Sequence, residues 1–100
     1  MTQDKANDRE LLKPYREQID AIDDQLVDLL VKRFDIVREV GRLKTEKSLT
    51  VVQSARVVEV IERNAQRAAS KGFDPDVVRQ IYTLLIDYAH RLEHKIMDAQ

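Results

Sequence analysis

Three cations, Arg16, Arg33 and Lys44, stand where one long amphipathic segment offers chemistry. The apolar stripe of that segment runs through Ile19, Ile22, Leu26, Leu29, Leu30, Val37 and Val40. Its three- and four-residue spacing is that of a helix face turned toward a core. Arg33 interrupts the stripe between Leu29 and Val37, and Lys44 continues it four residues past Val40. Burying a cation without a partner costs roughly several kcal/mol, so a helix that turns cations inward has something anionic to hold. The competing account is that these long side chains snorkel out at the stripe's edge or pair with an internal carboxylate.

Helical geometry says which cations can share a ligand. Arg33 and Lys44 are eleven residues apart, close to three turns, which puts them on one face roughly 16 Å apart along the axis. A small molecule lodged between them could touch both. Arg16 precedes Arg33 by about 25 Å of helix and lies in a different sector, so it does not easily reach the same ligand from the same helix. In an antiparallel dimer, the partner's Arg16 could. The next segment adds Gln53 and Arg56 at its end nearest the loop. Guanidinium groups bind carboxylates bidentately, so three arginines and a lysine around one cavity imply a small molecule with two carboxylates.

The elements that must hold these groups follow from the punctuation. A first helix is expected to start near residues 11–14, with Pro14 tolerated in its first turn, and to run to about residue 45. Gly41 lies inside it and weakens it slightly. Residues 46–51 break the periodicity and read as a loop, with Ser48 and Thr50 as possible caps. A second helix is expected over about 52–71, with stripe Gln53, Val57, Ile61, Ala65 and Ala68 and a stop at Gly72. Asp74-Pro75-Asp76 starts a third, with Asp74 as cap, carrying Val78, Ile81, Leu85, Ala89, Leu92 and Ile96. The expected organisation is a disordered tail over residues 1–10 and one all-α domain over 11–98.

Composition agrees and excludes several classes. Charged residues make up 35% of the 100 residues, with two Gly and two Pro, which reads as nearly all helix. The 17 basic and 18 acidic residues are spread along the chain, so no basic patch points to nucleic acid. There is no cysteine for disulfides, thiol catalysis or thiolate metal sites. No apolar run is long enough to cross a membrane and the first residues carry no apolar signal segment, so a soluble cytoplasmic protein is expected. His90 and His94 lie four apart on one helix, a spacing seen in metal sites. Without a third ligand they read as a solvated face, and no metal is expected.

The lengths argue for a partner. A helix ending near residue 45 would span roughly 48 Å, while a compact 100-residue monomer has a radius of gyration of about 13 Å. Two helices of roughly 30 Å cannot cover its whole apolar face, and a second copy in a two-fold dimer can. A long helix with a frayed, solvated end is the alternative.

The residues also resemble a known family. Arg16-Glu17-Gln18-Ile19-Asp20-Ala21-Ile22-Asp23, then Leu29-Leu30-Val31-Lys32-Arg33, then Val40-Gly41-Arg42-Leu43-Lys44 are similar to the first helix of the all-α chorismate mutases. The likeness continues through Arg56 and the Gly72-Phe73-Asp74 turn and covers about residues 11–96. It implies an intertwined dimer of three-helix protomers with two buried sites. Carried over by position, Arg16 would cross to the partner's site and bind one carboxylate, and Arg33 would bind the other. Lys44 would donate to the enolpyruvyl ether oxygen, and Arg56 would support the carboxylate end. The implied reaction is the intramolecular rearrangement of chorismate to prephenate in aromatic amino-acid biosynthesis, which needs no cofactor. The same fold serves the isochorismate-pyruvate lyases.

Four positions depart from the family pattern. Gln53 replaces an acidic residue, Val57 a glutamate that accepts from the ring hydroxyl, and Ala89 a small polar residue near one carboxylate. Glu93 stands in place of a glutamine that donates to the ether oxygen, and only a protonated Glu93 could do the same. An apolar residue at 57 is a lyase feature, whereas Glu93 is not and occurs in some fungal mutases. A mutase acting on chorismate is therefore expected first, with a lyase or a mutase for an amino-substituted chorismate behind it. The alternative from another class is a catalytically dead helical dimer that serves as a scaffold.

Overall fold

The computed structural model describes residues 6–100, which form three α-helices and, among those residues, no strand: α1 (Ala6–Glu46), α2 (Ser54–Ser70) and α3 (Pro75–Asp98). The all-α class and the long first helix match expectation, but α1 starts earlier than residues 11–14. Good helix formers such as Ala6, Arg9, Glu10, Leu11 and Leu12, with Asp8 in the first turn, carry the helix past Pro14. Residues 6–10 of the expected tail are thus helical, and residues 1–5 lie outside the described residues. No helix among the described residues is long and apolar enough to cross a membrane.

The chain divides into two compact units, Met1–Arg33 and Phe34–Gln100. In the first, every described residue belongs to α1. Its apolar stripe is open: Ile19, Ile22, Leu26 and Leu29 are each 54–61% exposed.

In the second unit, both interhelical connections start with the same device. At the end of α2, Gly72 adopts a φ of 79°, its N–H bonds to the Ala69 carbonyl at 3.1 Å, and Phe73 N–H reaches back to Ala68 at 2.9 Å. That is a Schellman motif with glycine at its left-handed position. The end of α1 repeats it with Ser48 at a φ of 55°, and Leu49 N–H bonds to the Lys44 carbonyl at 2.7 Å. Ser48 therefore closes the first helix and does not cap the second. Gln53 is the N-cap residue of α2 without a side-chain cap, while Asp74 caps α3 as expected, accepting from Asp76 N–H at 2.9 Å.

Small residues set the packing of this unit. Val51, Ala65 and Ala89 are its buried apolar residues among those described, joined by Gly41 and the carboxylate-bearing Glu93. A Cβ on Gly41 would lie 3.1 Å from Ile96 Cδ1 and 3.3 Å from Glu93 Cα, so α1 comes against α3 at a spot that suits glycine and crowds any larger residue. One end of the contact is finished by Phe34 and Tyr88, whose rings meet edge to face at 4.9 Å. Arg79 clamps α3 to α2, with its Nε and Nη2 each 3.0 Å from a different oxygen of Glu62 and its Nη1 2.6 Å from Asp76.

Two outcomes follow. The hydrogen bonds from Arg79 hold the Glu62 carboxyl below its ordinary value of 4.5, against a smaller upward pull from desolvation. A carboxyl lowered on folding adds stability above its unfolded value and loses it as pH falls through the folded one. Melting temperature should therefore drop less steeply below about pH 4.5 in Glu62→Gln than in the wild type. Gly41→Ala gains about 0.5–1 kcal/mol of helix propensity but meets the α3 backbone, and overpacking of that kind costs about 1–3 kcal/mol. Urea unfolding should show a net loss of about 1 kcal/mol.

Candidate active site

Lys44 leaves the last turn of α1 and turns its ammonium inward. Its Nζ lies 2.6 Å from the Val51 carbonyl in the connecting loop and 2.6 Å from Glu93 Oε1 on α3. The side chains are 14% and 6% exposed, so this is a largely buried ion pair. The approach to Oε1 falls outside hydrogen-bonding angles, which makes the contact charge pairing rather than a directed bond. Ala89 is buried one turn before Glu93, on the same face of α3.

The α2 residues gather at its first turn. Gln53 spends its side-chain N–H on the Thr50 carbonyl at 2.7 Å, and Val57 is half-buried with its N–H on the Gln53 carbonyl at 3.1 Å. The Arg56 guanidinium is paired with Glu59 on an exposed surface. In the other unit, Arg16 lies on an exposed stretch of α1 and Arg33 is half-buried. On α3, His90 is half-buried and His94 exposed, and no group of His, Asp or Glu among the described residues could hold a metal ion.

Of the expected site residues, then, Lys44 and Glu93 meet directly, with Ala89 beside them. Sequence reasoning missed the Val51 carbonyl, since main-chain acceptors leave no mark on residue identity. It also undervalued Gly41, where a poor helix former three residues before Lys44 signals close approach to another backbone. Chemically, the pair offers an ammonium with three N–H donors, one of them given to the Val51 carbonyl, and a positive charge paired with Glu93. The remaining donors can meet a ligand oxygen.

Residues 15–94 match the chorismate mutase type II family. The chain belongs to that family, a family of isomerases. The matched span contains all eight expected site residues, Arg16 through Glu93. Among relatives, the chain is 33% identical over 70 residues to a T-protein of Enterobacter agglomerans, 70% of this chain but 19% of that protein. It is 29% identical over 89 residues to a 4-amino-4-deoxychorismate mutase of Streptomyces venezuelae, covering 89% of this chain and 86% of that one. A 4-amino-4-deoxychorismate mutase of Streptomyces pristinaespiralis is 33% identical over 82 residues, 82% of this chain and 64% of the relative. The chain thus spans a fifth of the T-protein and most of the Streptomyces venezuelae mutase.

Removing one member of a buried pair strands the other, whereas removing both is close to neutral. Glu93→Met should cost about 3–5 kcal/mol in urea unfolding, and Lys44→Met/Glu93→Met should recover at least half of that.

Proposed function

We propose that this protein rearranges chorismate to prephenate within a two-fold homodimer. The observation that carries the proposal is the inward-turned Lys44 ammonium, held at a helix end in a chain of the chorismate mutase type II family. In the rearrangement the ether C–O bond breaks as a new C–C bond forms, and no atom is lost or gained. Negative charge grows on the ether oxygen, where a fixed donor such as Lys44 is most effective. Arg33 takes one carboxylate, the partner's Arg16 takes the other, and Arg56 supports that end, exchanging Glu59 for the substrate. Holding the two arms of one molecule together lowers the barrier by up to several kcal/mol. Gln53, Val57 and Ala89 line the site, and no cofactor takes part.

The open stripe on α1 supports the dimer. Ile19, Ile22, Leu26 and Leu29 form a contiguous exposed apolar face of the kind that soluble proteins cover with a partner. A second copy lying antiparallel covers it and carries Arg16 across to the other site.

A second reading is favoured by the names of the two Streptomyces relatives. In it, the substrate carries an amine in place of the ring hydroxyl. Separate incubation with chorismate, 4-amino-4-deoxychorismate and isochorismate decides the matter. Prephenate from the first supports the main reading, faster turnover of the second supports the amine reading, and pyruvate release from the third alone would make the protein a lyase. Binding of a bicyclic dicarboxylate transition-state mimic at 100 times its Kd should add about 2.7 kcal/mol of stability. An inert helical scaffold would show no shift.

The crossed arrangement has its own test. Arg16→Ala and Arg33→Ala protomers, each inactive alone, should regain activity when mixed, because one of the two sites in the heterodimer keeps both arginines. No recovery after demonstrated subunit exchange would rule it out.

A further inference from the structure

We propose that Glu93 and the Val51 carbonyl are positioning groups that fix the Lys44 ammonium, so that Glu93 acts through Lys44 and does not itself touch the substrate's ether oxygen. The inference rests on the mutase reading for its kinetic consequence, although the geometry stands by itself. A lysine ammonium sits at the end of four rotatable bonds, so a defined place must be imposed on it by its neighbours. Here two acceptors from different elements close on it, both at 2.6 Å. Each acceptor is anchored. Val51 is 3% exposed, so the apolar side chain pins the residue whose carbonyl faces Nζ. Glu93 is held at short range because Gly41 lets the α3 backbone come to within contact of α1, one turn before Lys44. The Glu93 Cγ lies 3.3 Å from where a Gly41 Cβ would be, so a side chain at 41 would press on the stem of this carboxylate and ask it to give by a few tenths of an ångström.

Lys44 is therefore tied at both ends. Its main-chain carbonyl accepts from Leu49 N–H at 2.7 Å, and its side chain donates to the carbonyl two residues further along the same loop. Among the described residues, the Val51 carbonyl accepts one N–H and Glu93 pairs with the charge, which fixes the place of the ammonium and leaves N–H donors for a ligand. A donor already in place needs little reorganisation as charge develops on the acceptor, which is the condition for electrostatic catalysis. Glu93 has the opposite chemistry to a donor. As an ion-pair partner it presents lone pairs, and its Oε1 is the atom nearest Nζ.

Glu93→Gln keeps an acceptor at the same reach, Glu93→Asp shortens it by one methylene, and Glu93→Met removes it. With chorismate as substrate, Glu93→Gln should retain kcat within about threefold. Glu93→Asp and Glu93→Met should each lower kcat at least about tenfold with KM within about threefold, since the arginines still bind the carboxylates. In a Lys44→Met background, Glu93→Met should change kcat by less than about twofold, because nothing remains to position. The same contrast must appear without turnover. In nitrogen-15 spectra of lysine side chains, the Lys44 ammonium should give a resolved signal in the wild type and in Glu93→Gln, and lose it in Glu93→Met. Should Glu93→Met not fold, Glu93→Asp carries both measurements. A further loss of kcat on adding Glu93→Met to Lys44→Met, or an unchanged ammonium signal in both Glu93→Asp and Glu93→Met, would overturn the proposal. A wild type inert on all three substrates, with an ammonium signal that still depends on Glu93, would sink the mutase reading and leave the positioning intact.

Discussion

A positive charge taken out of water must be met by acceptors, and in this protein that requirement organises the second unit. The Lys44 ammonium needs Glu93 from α3 and the Val51 carbonyl from the loop, both at 2.6 Å. Glu93 comes that close where α1 and α3 nearly touch, which glycine at 41 favours. Val51 can come that close only if the loop turns sharply after α1, which calls for a left-handed residue at 48. Each of these is a local choice with a local cost: a weak helix former in one case, a strained serine in the other. They become intelligible together, as the conditions for one buried ion pair.

The α2·α3 hairpin carries less chemistry and more of the ordinary work of folding. Gly72 and Asp74-Pro75 end one helix and begin the next within a few residues, and the Arg79 fork fixes their mutual rotation through Glu62. That clamp is exposed to solvent, so its worth lies in geometry more than in energy. By contrast, the Lys44–Glu93 pair is shielded, and removing either partner is felt in full.

Much of this was legible in the residues themselves. The 3.6-residue apolar period gave all three helices, and the Asp-Pro and Gly signals placed the α2–α3 turn to the residue, because capping chemistry is local and tied to residue type. The start of α1 is less legible, because Pro14 reads as a first-turn residue whereas the good helix formers before it extend the helix to Ala6. At the site, the inward cation at 44 was visible beside the apolar stripe, and Arg33 as a break within it. What answers Lys44 was visible only in part. Glu93 was marked as a departure, but its partner depends on where α3 crosses α1, and a main-chain carbonyl has no signature in a sequence.

The double attachment of Lys44 to its loop has a consequence for how such a chain can vary. Residue 44 offers its carbonyl to Leu49 and its ammonium to Val51, so the span from 44 to 51 behaves as a small ring closed by side chain and main chain at once. A ring tolerates exchange of its exposed members, and Glu46, Lys47 and Thr50 all face solvent. It does not tolerate a change of circumference. An inserted or deleted residue would carry the Val51 carbonyl off the ammonium and release the charge. Drift at Glu46, Lys47 and Thr50 is therefore free in identity, while the segment as a whole is frozen in length, a constraint that the site residues alone would not reveal.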